Sequence, residues 1–169
     1  MLVSTVAAIV DRDLKAVRRE LEAYPDEHLI WQTVPGLPNS GGTLALHLAG
    51  NVQHYIGAQL GHTGYVRDRP AEFARRDVPR AELVEELETA RSVVGSVLAR
   101  LRDEDLPKQF PEVVGVVRVE TQEYLVHLLV HFAYHLGQMD AHRRVVTGDA
   151  SGVGAVRHTE LGSARPADG

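Results

Sequence analysis

Residues 121–147 read TQEYLVHLLVHFAYHLGQMDAHRRVVT, and this stretch decides the fold class. Its apolar residues recur at the spacings of three and four that are typical of a half-buried α-helix: Leu125, Leu128, Leu129, Phe132, Leu136 and Met139. Acidic residues stand at its start and Arg143 and Arg144 near its end, as the helix dipole favours. The stretch therefore predicts one long helix that is partly buried in the core.

Three further segments have the same periodicity, at about residues 3–24, 43–61 and 77–101. Pro25 ends the first, Ser40 is the expected cap of the second, and Asp77 is the expected cap of the third, with Pro79 in its first turn. The valines of residues 113–119 predict a short strand or hairpin arm. Four helices joined by long connections predict an all-α fold, a four-helix bundle that need not alternate in direction.

The composition of the 169 residues is that of one globular domain. The hydrophobic content of 44% is ordinary, so a sizeable core is expected. The net charge of −5 and the lack of a basic helix argue against direct binding of nucleic acid. The absence of cysteine excludes disulfides, thiolate metal sites and a cysteine nucleophile.

The sequence shows no sign of a signal peptide or of a membrane-spanning segment. Charges from Asp11 onward interrupt the N-terminal apolar stretch too early for a signal peptide, and no stretch approaches the ~18 residues of a membrane span. We therefore expect a cytoplasmic protein with no membrane association. We divide it into a helical domain, residues 1–147, and an extension, residues 148–169, that is rich in small residues and either flexible or docked.

Histidines are concentrated on two of the predicted apolar helices. His127, His131 and His135 are four residues apart on the last helix, and His47 and His54 are seven apart on the second. A buried imidazole without a partner costs about 1–3 kcal/mol, and few other polar side chains share these faces. One divalent cation satisfies three imidazoles at once. The spacing slightly favours a mononuclear metal site over hydrogen-bonded core histidines.

Two histidine segments resemble the DinB/YfiT-like superfamily. HFAYHLGQM, residues 131–139, is similar to its late H-x-x-x-H-x-G-Q signature, and TLALHLAGN, residues 43–51, is similar to its second-helix segment. The Gly50-Asn51 step and the RDR-x-x-EF loop at residues 67–73 resemble one branch of DinB-like proteins. The resemblance implies a four-helix bundle in up-down-down-up order that forms a homodimer. It also implies one divalent metal ion held by His47, His131 and His135.

Further residues near this site can be given expected roles beside the resemblance. Asn51, His54 and Gln138 are expected to line the cavity or to hydrogen-bond a ligand imidazole, and Gly137 is expected to allow close helix approach. His127 lies outside the family's metal-binding set and is expected to be a core or interface histidine. Residues 67–72 are expected to form a solvated, internally paired charged loop. Alternatively, Arg67 or Arg69 contacts a substrate carboxylate at the cavity mouth.

Three functions remain open on these grounds. The superfamily includes thiol S-transferases, which implies a transferase that uses a metal ion and a low-molecular-weight thiol on a small-molecule substrate. A metal-dependent hydrolase is the first alternative, although neither histidine-bearing helix clearly offers an inward Asp or Glu as general base. A non-catalytic metal- or small-molecule-binding dimer is the second. Three imidazoles suit several metals, with Zn²⁺ and Ni²⁺ favoured. The reacting group, a thiol or a metal-bound water, is not identified.

Overall fold

The computed structural model describes residues 2–167 and is helical, with no strand in that range. The four long helices are α1 (Leu2–Glu22), α3 (Gly41–Val52), α5 (Arg80–Leu98) and α6 (Thr121–Thr147), and α3 continues as a π-helical segment, Gln53–Leu60. Two short helices, α2 (Glu27–Trp31) and α4 (Arg69–Ala74), lie in segments that were expected to be connections or loops. The all-α fold class is therefore confirmed.

Helix α3 lies at the centre of the molecule. All twelve of its residues are buried, because α2, α4, α5 and α6 all pack against it. Helix α1 packs against α5 and α6 and has a buried stripe from Val3 to Leu21. Ser40 caps α3 as expected, since its side chain accepts a hydrogen bond from the Thr43 N–H. The polar side chains of α3, His47 and Asn51 among them, are consequently shielded from bulk water.

Two local expectations are wrong. Helix α5 begins at Arg80 with Pro79 as its N-cap, and Asp77 does not cap it because Asp77 has a positive φ of 55° two residues earlier. Residues 113–119 form no strand. Val114 and Val117 pair across a tight turn in which Gly115 has a φ of 63°, a left-handed conformation that suits glycine. That pairing is too short to extend into a strand.

The extension after α6 contacts the first helix of the same chain. Gly148, with a φ of 69°, ends α6, and its N–H donates to the carbonyl of Arg144. Arg19 of α1 donates to the Gly154 carbonyl at 2.9 Å and pairs with Glu160 at 3.4 Å. No helix within residues 2–167 combines the length and the apolar character that crossing a membrane requires.

Candidate metal centre

Three histidines meet where α3 faces α6. His47 lies on α3 and is 4% exposed, whereas His131 and His135 lie on successive turns of α6 and are half-buried. Residues four apart on an α-helix project from the same side, so both α6 rings face α3. The predicted convergence of these side chains is present in the structure.

The distances among the three rings fit a shared ion. One ligand nitrogen from each histidine lies within 4.8 Å of the other two. His47 Nε2 and His131 Nε2 are 3.4 Å apart. Two nitrogens bound tetrahedrally to one zinc ion, each at about 2.0–2.1 Å, would themselves be separated by roughly 3.4 Å. One nitrogen pair therefore already has the separation that a shared zinc ion requires, and the third nitrogen lies near enough for the group to hold a divalent ion.

The outer nitrogens of two of these rings are already occupied. His47 Nδ1 lies 2.9 Å from Glu72 Oε2, and His135 Nδ1 lies 2.7 Å from Gln138 Oε1. Both oxygens can only accept, so each Nδ1 carries the proton and each Nε2 keeps a lone pair. His131 Nδ1 is buried and has no partner within residues 2–167. The Nε2 lone pairs of His47 and His135 are therefore available to a cation.

The local environment keeps the α6 imidazoles neutral. Burial, followed by the neighbouring His135 and His47, lowers the pKa of His131 to about 4. Burial also lowers the pKa of His135 and outweighs the hydrogen bond to Gln138, which raises that pKa, while His47 adds a smaller lowering contribution. Near pH 7 these two rings therefore bind a cation without first releasing a proton.

A buried carboxylate contacts one of the three histidines. Glu72, on α4, is 6% exposed, and Arg67 donates to both of its oxygens, at 2.6 and 2.8 Å. Burial alone would raise the pKa of Glu72, but the hydrogen bonds from His47 and Arg67 outweigh burial and hold that pKa below its ordinary value. The expectation of a solvated charged loop is wrong for this pair, because α4 turns it inward onto α3.

The three rings border a cavity of about 410 Å³. Its wall is mainly polar or aromatic and comprises Asn39, His47, Asn51, Tyr55, Arg67, Arg69, Phe73, Val114, Tyr124, His127, Leu128, His131 and His135. No Asp, Glu or Cys belongs to this wall, and only three residues of the described part of the chain form the metal-compatible group. A bound ion would keep a coordination position facing the cavity, as reactive zinc sites do.

The family model described as mycothiol-S-transferase (MST) matches residues 5–148. The chain belongs to the mycothiol-S-transferase family. This is a DinB-like family, so the superfamily resemblance is confirmed. No curated protein and no solved structure matches the chain. All three converging histidines lie inside the part that matches the mycothiol-S-transferase model.

Of the three residues expected around the histidines of this mycothiol-S-transferase family member, two lie at the site and one does not. Gln138 hydrogen-bonds His135, and Asn51 lines the cavity but makes no hydrogen bond to an imidazole within residues 2–167. His54 does not line the cavity. Its Nε2 lies 2.7 Å from Glu112 Oε2. A spacing of seven places two residues on the same side of an α-helix, but the backbone is π-helical from Gln53 onward, so His54 does not share the side of His47.

Close approach to α3 depends on a different glycine from the one expected. No neighbouring atom lies within 4 Å of a Cβ built at Gly137, whereas a Cβ at Gly50 would overlap Glu72 Oε1. The expectation for Gly137 is wrong, because this residue lies on the exposed side of α6. Gly50 is the position where a carboxylate packs directly on the helix backbone.

His127 and the two arginines take distinct positions at the cavity wall. His127 is exposed and stacks on Tyr124 with ring centroids 5.6 Å apart, so it is not a core residue. The Arg67 side chain is 9% exposed and uses its guanidinium on Glu72, which leaves no free fork for a substrate carboxylate. Arg69 is exposed, lies over the Phe73 ring at 5.0 Å and has no ion-pair partner within residues 2–167.

The sequence did contain a signal for the missed residues Glu72 and Phe73. Asp68 accepts from the Ala71 N–H and Pro70 stands in the first turn, which is the usual start of a helix. A helix at this point could have been predicted from Asp68 and Pro70. Its contact with α3 could not, since that contact depends on the space left by Gly50.

Proposed function

We propose that this chain is a metal-dependent transferase that uses a low-molecular-weight thiol, with mycothiol as the thiol named by its family. The convergence of His47, His131 and His135 beside an open polar cavity carries the proposal. Family membership supports thiol chemistry, and the lack of cysteine means that the sulfur must come from a bound small molecule. A cytoplasmic location belongs to the proposal, since thiols are kept reduced there.

The chain's own residues would act mainly by binding and orientation. One divalent ion, which we propose to be Zn²⁺ or Ni²⁺, supplies a Lewis acid that lowers the pKa of a thiol so that the thiolate forms near neutral pH. Asn51 and Tyr55 offer hydrogen bonds within the cavity, and Arg69 offers an unpaired cation at its edge for an anionic group of either substrate. The thiol releases its proton to solvent, and the thiolate sulfur would form a bond to an electrophilic carbon of the second substrate as the bond from that carbon to its leaving group breaks and the leaving group departs with the electron pair.

Hydrolysis is not supported by a comparable observation. A metal-assisted hydrolase needs a carboxylate or imidazole that is free to accept a proton from water. Glu72 is the buried carboxylate that contacts the three-histidine group, and its oxygens are engaged by His47 and Arg67. His127, the remaining imidazole of the cavity wall, stacks on Tyr124 and lies outside the three-histidine group. We therefore keep thiol transfer as the single proposed activity.

Metal content and thiol transfer together test the proposed function. Chain purified without chelator and without a histidine tag is expected to contain about one divalent ion in elemental analysis. Reloaded protein should couple mycothiol to a haloalkyl acceptor, with the S-conjugate measured by mass spectrometry, and chelator-treated protein should not. Equal conjugate formation by metal-loaded and metal-free protein contradicts metal-dependent transfer, and the absence of metal from the purified protein contradicts the metal site itself.

Helix packing supports two further parts of the proposal. Helices α1 and α3 each pack against both α5 and α6, which is the contact pattern of a four-helix bundle, and we propose the up-down-down-up order for it. The outer face of α6 carries the exposed residues Val126, Val130, Tyr134 and Val145. Such a stripe on a surface helix is typical of an interface, and we propose that it pairs with a second copy of the chain.

The homodimer predicts a specific response to a charge in this stripe. The wild type should have twice the chain mass of 18.6 kDa in light scattering. Val130→Glu, which places a carboxylate in an apolar contact, should shift the protein to the monomer without changing its metal content. Glu123→Gln, at an exposed position nearer the start of α6, serves as the control. A wild type that is monomeric at all concentrations tested contradicts the dimer.

A further inference from the structure

The RDR-x-x-EF loop, residues 67–73, contacts α3 through residues to which the proposed function assigns no role. Residues 67–73 begin with Arg67, pass through the Asp68 cap and Pro70, and end in α4 with Glu72 and Phe73. Helix α4 packs directly against α3. Consecutive residues of this segment therefore reach the same part of α3, the turn that carries His47.

Glu72 and Phe73 contact the His47 ring in two different ways. Glu72 Oε2 lies 2.9 Å from His47 Nδ1, while the Phe73 ring lies 5.0 Å from the imidazole, centroid to centroid. The hydrogen bond sets the rotation of the imidazole about its side-chain bonds, and the aromatic contact restricts its tilt. These two contacts leave Nε2 directed toward His131.

Arg67 and Gly50 hold Glu72 in this position. Arg67 donates to both carboxylate oxygens, so the buried negative charge is compensated. Gly50 provides the space, since any Cβ there would overlap Glu72 Oε1. Arg67 Nη2 also lies 3.3 Å from His47 Nδ1, but its shorter contact is to Glu72 Oε2 at 2.8 Å. A carboxylate 2.9 Å from Nδ1 requires that Nδ1 carry the proton.

The three histidines differ in how much their ring orientation depends on contacts with other side chains. His131 and His135 share one helix, so their separation follows from helix geometry. His47 belongs to a different helix, and its ring must be aimed across the space between α3 and α6. A group that fixes the tautomer and orientation of one ligand imidazole typically changes metal affinity 10–100-fold.

We propose that residues 67–73 are a positioning clamp for His47, in which Glu72 fixes the Nδ1–H tautomer and thereby sets the divalent-metal affinity of the three-histidine site. This inference rests on the proposed function for its metal, but the tautomer of His47 is a property of the metal-free chain. Glu72 acts through His47 and is a positioning residue. The clamp also gives the RDR-x-x-EF segment a role other than substrate binding.

The experiment compares Glu72→Gln with Glu112→Gln in two measurements. Glu112 makes an equally short contact to His54, which lies outside the triad, so it is a matched control. In Zn²⁺ competition with a chromophoric chelator, Glu72→Gln should bind about 10–100-fold more weakly than wild type, and Glu112→Gln should bind like wild type. In nitrogen NMR of the metal-free imidazoles, wild-type His47 should be the Nδ1–H tautomer, and Glu72→Gln should show a mixture.

A second variant covers the case in which Glu72→Gln fails to fold. Gly50→Ala keeps the carboxylate but displaces it from His47, and should weaken Zn²⁺ binding in the same direction. Unchanged zinc affinity in the folded clamp variants, or an Nε2–H tautomer of His47 in the wild type, overturns the clamp. A wild type that binds neither Zn²⁺ nor Ni²⁺ overturns the proposed function instead, and the NMR tautomer still decides whether Glu72 orients His47.

Discussion

Replacing His47 or His131 by alanine should abolish metal retention, and this is the largest functional effect we expect. Each variant removes one of three nitrogens that lie within 4.8 Å of one another, and residues 2–167 offer no further ligand in this group. Two imidazoles on a cavity wall hold a divalent ion far less tightly than three. Elemental analysis of chelator-free protein should therefore give a background metal content for both variants.

His127→Ala is the matched control for this experiment. His127 lies one turn before His131 on α6, but it is exposed and stacks on Tyr124 instead of joining the triad. Added Zn²⁺ should raise the Tm of the wild type and of His127→Ala, because a ligand that binds only the folded state stabilises it, and leave the Tm of the other variants unchanged. Equal metal loss in all three variants, or in none, contradicts the ligand assignment.

Replacing Arg143 by alanine should lower the free energy of unfolding by about 3–5 kcal/mol, the largest stability effect we expect. Arg143 Nε lies 2.6 Å from Glu20 Oε2, and the two side chains are 1% and 0% exposed. The guanidinium also donates to the Ser151 carbonyl at 2.7 Å. Its removal leaves a carboxyl group buried between α1 and α6 without its partner, which costs more than the pair itself contributes.

Urea unfolding of the metal-free protein at pH 7, followed by circular dichroism, measures this effect. Arg144→Ala is the control, since Arg144 is the next residue and pairs with Asp140 at the surface, where such pairs contribute about 0–1 kcal/mol. The double variant Glu20→Leu/Arg143→Met should recover much of the loss, because it removes both charges and keeps the volume. A loss in Arg143→Ala no greater than in Arg144→Ala contradicts this account.

The buried Arg143 also shows where reasoning from sequence patterns stops. Its place near the end of a long helix indicated a favourable dipole interaction and nothing more. The structure shows that it pairs with Glu20, a residue 123 positions earlier on α1. A pattern within one helix carries no information about which residue of another helix it will meet, so this ion pair could not have been predicted.

The candidate metal centre also has parts that could be predicted from sequence and parts that could not. His131 and His135 could be placed together from their spacing alone, because a separation of four on one helix is a local property. Their relation to His47 was available only as a resemblance until the packing of α3 against α6 was known. Glu72 was assigned to a solvated loop, because nothing in its own neighbourhood reveals that Gly50 leaves room for it on α3.

The sequence by itself determined the all-α class and the span of α6 from Thr121 to Thr147, since periodicity acts over a few residues. The set of three histidines came from its resemblance to the DinB/YfiT-like superfamily. Only the tertiary structure decided that Glu72 contacts His47, 25 residues away in sequence, and that Arg67 pairs with the same carboxylate. It also decided that His54 contacts Glu112 and not the cavity. Each of these depends on which polar and charged side chains find partners between separate elements. Such pairing is decided when the elements pack, because the cost of an unpaired buried charge exists only in the folded molecule.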